Sequence, residues 1–83
     1  MPMKFAVIDV KAYSGYKHNE RPISFIFEGR DYKVTGIIDR WYEGGVETDQ
    51  PYLDYFKVKA DDAKEYILRY NGLFDKWSIL VDD

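Results

Sequence analysis

Two stretches of this sequence combine residue types that could do chemistry. Tyr13-Ser14-Gly15-Tyr16-Lys17-His18-Asn19-Glu20-Arg21 interleaves two phenol rings with cationic and polar donors. Bases could stack on Tyr13 and Tyr16 while Lys17 and Arg21 meet phosphates, the combination that single-strand binders use. The competing reading lays both rings over the end of a fold and leaves their hydroxyls in water. The second stretch, Asp39-Arg40-Trp41-Tyr42, sets Trp beside Arg, the composition of an interface hot spot. A chain this small needs its large apolar side chains inside, so Trp41 is expected in the core, with Asp39 and Arg40 pairing across a strand. Exposed, the same residues would anchor a protein partner.

Other polar groups point to no reaction. Glu43, Glu47, Asp49 and Asp54 lack the spacing and central glycine of a calcium loop. His18, the one histidine, has no metal-ligand partner at helical or hairpin spacing. The absence of cysteine excludes thiolate zinc sites, thiol nucleophiles and redox pairs. No nucleophile–base pair, paired carboxylates or glycine-rich phosphate cradle can be placed. The chain therefore reads as a non-enzyme with no catalytic residue, no metal and no cofactor.

What must position these stretches is small. With 83 residues there is room for one domain, and its density comes from fifteen Phe, Tyr and Trp. Formal charge is −3, against the basic footprint usual in nucleic-acid binders. Lys4, Lys11, Lys17 and Arg21 leave residues 1–23 at +2 and the remainder at −5. The apolar run after Met1 is too short and too soon interrupted by charge for a signal peptide or a membrane span. A cytoplasmic protein with no membrane partner is expected.

Period-2 alternation predicts strands over 4–12, 22–28, 31–35, 53–60 and 76–81. In the first, Phe5 and Val7 share one face and Ala6, Ile8 and Val10 the other. In the second, Ile23, Phe25 and Phe27 oppose Ser24, Ile26 and Glu28. Gly29-Arg30 predicts a tight antiparallel hairpin. Gly36-Ile37-Ile38 predicts a bulge and a bend, and Phe56, Val58 and Ala60 are expected to face inward. Residues 61–72 are ambiguous. Asp62 and Glu65 form a capping-box pair, and Ala63, Tyr66, Ile67 and Tyr70 fall at helical spacing. Against a helix, Tyr66–Tyr70 is rich in strand formers and is flanked by Asp61-Asp62 and Asn71-Gly72, so a strand is preferred. A loop reaching through Asp75 would then place Ile67 opposite Ile79 and Arg69 opposite Trp77, a better match of partners than a two-residue Asn71-Gly72 turn gives.

The run Arg21-Pro22-Ile23-x-Phe25-x-x-x-Gly29-x-x-Tyr32-x-Val34, with Asp39-Arg40-Trp41, then Tyr55-Phe56-Lys57-Val58 and Tyr66-x-Leu68-x-Tyr70, resembles a family of small, uncharacterised bacterial cytoplasmic proteins, a domain of unknown function. The resemblance spans most of residues 4–81 and brings no catalytic residue. It implies a strand, a turn often containing glycine, and another strand, with Ala63 standing where that glycine would help. Some relatives lie beside genes for error-prone DNA synthesis, which implies DNA-related work.

These readings converge on a mainly antiparallel all-β domain of five or six strands, a small barrel or strongly bent sheet, with one short helix near residues 62–70 as the alternative to a strand there. The expected function is a non-enzymatic module that binds a protein partner, with Tyr13, Tyr16, Lys17, Arg21, Arg40 and Trp41 as candidate binding residues. Single-stranded DNA binding through loop 13–21 is the alternative, and the oligomeric state stays open.

Overall fold

A computed structural model describes residues 3–13, 21–43 and 53–82. Six strands run in chain order: β1 (Met3–Tyr13), β2 (Arg21–Phe27), β3 (Arg30–Glu43), β4 (Leu53–Ala60), β5 (Glu65–Asn71) and β6 (Lys76–Asp82). Each pairs antiparallel with the next, and β6 returns to β1, so the sheet closes into a barrel. Closure leaves no outer strand without a neighbour. No helix occurs among the described residues, and none is long and apolar enough to cross a membrane.

Alternation sets the inner wall. Ala6, Ile8 and Val10 of β1 pack on the core while Val7 points out, and Phe56, Val58 and Ala60 of β4 face inward as the pattern predicts. Phe25 is buried against Tyr32, stacked at 5.0 Å, and Tyr66, edge-on at 5.4 Å. At the other end Trp77 leans on Phe56 and Tyr70, with centroids 5.6 and 5.1 Å away. Each such pair adds about 0.5–1.5 kcal/mol beyond the area it buries.

Several sequence expectations are corrected. The first turn is Glu28-Gly29 rather than Gly29-Arg30, because Phe27 pairs with Arg30. Both turn residues have positive φ, 53° and 77°, the backbone of a type I′ hairpin. Ile23 does not join Phe25 and Phe27 inside. Opposite Lys11-Ala12 the ladder skips it, so Pro22 turns inward and Ile23 is exposed. The helix alternative for 62–70 gives way to β5, since Asp62 caps a turn: its Oδ1 accepts from the Lys64 amide at 3.0 Å and Ala63 sits at φ 67°. Finally, the last hairpin pairs Leu68 with Ile79 and Tyr70 with Trp77, one residue away from the predicted register. Asn71 Oδ1 accepts from the Leu73 amide, and Asp75 at φ 53° receives the Tyr70 hydroxyl, so the loop closes with Tyr70 and Trp77 both inside.

The bend predicted at Gly36-Ile37-Ile38 is present as two bulges, between Val34 and Gly36 and between Ile37 and Asp39. They let one long strand serve two neighbours: Arg30–Lys33 pair with β2, and Val34–Glu43 with β4.

Candidate binding site

Strand alternation sorts the connections by end. One end carries the tight turns 28–29 and 61–64. The other receives the ends of β1, β3 and β5 and the starts of β2, β4 and β6. Tyr13, Arg21, Arg40 and Trp41 are thereby gathered toward the same end, although they come from three strands. Tyr16 and Lys17, with His18, Glu47 and Asp49, lie outside the described residues.

Tyr13 and Arg21 are cross-strand partners, and the Arg21 guanidinium sits 5.2 Å from the Tyr13 ring centroid. Both are exposed.

Arg40 and Trp41 take opposite sides of the wall. Arg40 pairs in the ladder with inward-facing Phe56, and its guanidinium lies 4.8 Å from that ring and 5.2 Å from Tyr42. From there it forks Asp54, donating from Nε to Oδ1 at 3.1 Å and from Nη2 to Oδ2 at 2.7 Å. The Asp54 side chain is 4% exposed and that of Arg40 34%. The pairing across strands is therefore Arg40–Asp54, not Arg40–Asp39; Asp39 accepts the Arg40 backbone amide at 2.8 Å. A bidentate pair of this kind orients both groups.

Trp41 is not a core residue. It lies on the outer face, 37% exposed, stacked on Tyr55 at 5.3 Å with planes 2° apart. Tyr55 in turn meets the edge of Phe5 at 6.0 Å, and the Arg69 guanidinium covers Phe5 at 3.9 Å. This outer layer buries Tyr55, whose hydroxyl donates to Glu43 Oε1 at 2.9 Å. Burial first, and then that acidic acceptor, push the Tyr55 hydroxyl above its ordinary pKa.

Sequence reasoning missed Leu73 and Phe74. Both stand in the loop between β5 and β6 at the same end, each 64% exposed. Asn71 Oδ1 accepts from the Leu73 amide at 3.0 Å and lies 3.4 Å from that of Phe74, so the backbone beneath them is fixed. The available signal was their type: a turn normally takes Gly, Asn, Asp or Ser, and two large apolar residues there serve no turn geometry. Exposed Tyr42 adds to the apolar surface on this end of β3.

No family model matches the chain, and no curated protein or solved structure matches it. Among the described residues, no group of three or more His, Asp or Glu is placed to hold a metal ion. Glu43 and Asp54, two members of the acidic set, are engaged by Tyr55 and Arg40. The arrangement offers aromatic and apolar contact area, held on a rigid frame.

Proposed function

We propose that the protein is a non-enzymatic binding module and that its loop-bearing end docks a protein partner. One observation carries this reading: Leu73 and Phe74 are both 64% exposed at the tip of a loop whose backbone is fixed by Asn71. With the backbone beneath these contact residues already held, less loop ordering is left to oppose binding. Trp41, stacked on Tyr55 toward the same end of the barrel, supplies a preset aromatic anchor.

The test is affinity capture with three versions of the protein. The wild type retains a partner, the Leu73→Ser/Phe74→Ser double variant loses it, and Val7→Ser retains it. Val7 is a suitable control because it is 72% exposed within β1 and is not itself part of the loop between β5 and β6. Equal capture by all three would reject this end as the docking surface.

The Tyr13–Arg21 pair favours a second reading, single-stranded nucleic acid stacked on Tyr13 with phosphates on Arg21 and Lys17. On that reading Lys17→Ala/Arg21→Ala weakens binding to every sequence and flattens its salt dependence. An unchanged salt slope would discard it.

A further inference from the structure

The end of the barrel that carries the tight turns holds a cavity of about 630 Å³, within the size range of small-molecule sites. Ala6, Phe27, Tyr66 and Val81 give it an apolar floor, and Lys4, Glu28 and Glu65 a charged rim. Two of those charges are already engaged. Lys4 has an interaction of its own, and Glu65 reaches Lys57 Nζ at 3.6 Å. Glu28 makes no hydrogen bond or ion pair with any described residue.

The backbone of Glu28 is also unusual. It holds φ 53° at the first position of the type I′ turn, where Asn, Asp or Gly is the ordinary occupant. Residues held against their backbone preference cluster where a ligand is gripped. Tyr66, which lines the same cavity, has its ring pinned by its hydroxyl, which donates to Asp62 Oδ2 at 2.6 Å.

From this combination we infer that the cavity takes a small organic cation: an ammonium group seated on the Glu28 carboxylate, with a hydrocarbon or aromatic body against Phe27 and Tyr66. This site is independent of the loop-end docking surface.

The test uses three near-isosteric probes, phenethylammonium, 2-phenylethanol and 3-phenylpropionate, followed by amide chemical shifts of the whole chain. Phenethylammonium is expected to move the amides of Ala6, Phe27, Glu28, Gly29 and Tyr66 saturably. The alcohol should bind about fivefold more weakly, the factor one partly exposed ion pair supplies, and the carboxylate weaker still. Glu28→Gln should bring the ammonium down to the level of the alcohol. Glu28→Asn, which suits the turn, should do the same while raising the melting temperature, which separates loss of the ligand contact from loss of fold. Equal binding of all three probes, no shifts in this set, or undiminished binding to both variants would overturn the inference.

Discussion

The indole of Trp41 lies parallel to the ring of Tyr55, 5.3 Å away, on the outside of the barrel. The core position belongs instead to Trp77, which is 6% exposed. Trp41→Ala should therefore cost about 1–2 kcal/mol and leave unfolding cooperative, since it removes a half-exposed stack. Trp77→Ala should cost about 3–5 kcal/mol through the cavity it leaves. Denaturant unfolding of the two variants checks the order, and equal costs would return Trp41 to the core.

The Arg40–Asp54 pair is asymmetric in exposure, and that decides which partner matters more. Removing Arg40 strands a carboxylate that is almost wholly covered, whereas removing Asp54 leaves a guanidinium that already reaches water. Arg40→Met is expected to destabilise by about 3 kcal/mol or more and Asp54→Leu by clearly less. The double variant should recover part of the loss. A double-mutant cycle measures all three.

Ala63 holds φ 67° in the turn between β4 and β5. An L side chain in that region costs about 1–2 kcal/mol, and glycine avoids the penalty. Ala63→Gly should raise stability by about 1 kcal/mol, seen as a higher denaturation midpoint with an unchanged slope.

Asp62 and Tyr66 tie stability to pH from both sides. The Tyr66 hydroxyl donates to Asp62, and this bond, ahead of any other influence, lowers the Asp62 carboxyl below its ordinary pKa of 3.8. A lowered carboxyl contributes stability above its unfolded value and loses it as pH falls through the folded one. The same bond raises the Tyr66 hydroxyl above 10.0, with burial adding to it. A raised phenol contributes stability below 10.0 that is lost as pH climbs beyond. Tyr66→Phe should flatten both limbs of the stability–pH curve. An unaltered acid limb would contradict the bond's role.

Much of the fold is legible in the sequence where period-2 alternation runs uninterrupted. Phe56, Val58 and Ala60 face inward because nothing breaks the pleat of β4. Trouble starts where one residue is added. The bulge that skips Ile23 sends it outward, and a one-residue difference in the last hairpin turns Tyr70, rather than Arg69, toward Trp77. Side-chain composition cannot count such steps. Asp62 and Glu65 mimicked a helix start because an Asp carboxylate satisfies a nearby amide equally well in a turn. At the site, Tyr13, Arg21, Arg40 and Trp41 were legible as types. The inward fork of Arg40 onto Asp54 and the presentation of Leu73 and Phe74 depend on register, which only the closed barrel fixes.

Docking of a protein on the loop-bearing end through Leu73 and Phe74, as we propose, is open to a direct test. Photo-crosslinking in cells tests it most directly, with p-benzoylphenylalanine placed at position 74 and, separately, at position 7. A discrete adduct from position 74, competed away by excess wild-type protein and absent from position 7, is the predicted result. No adduct at position 74, or the same adducts from both positions, would contradict it.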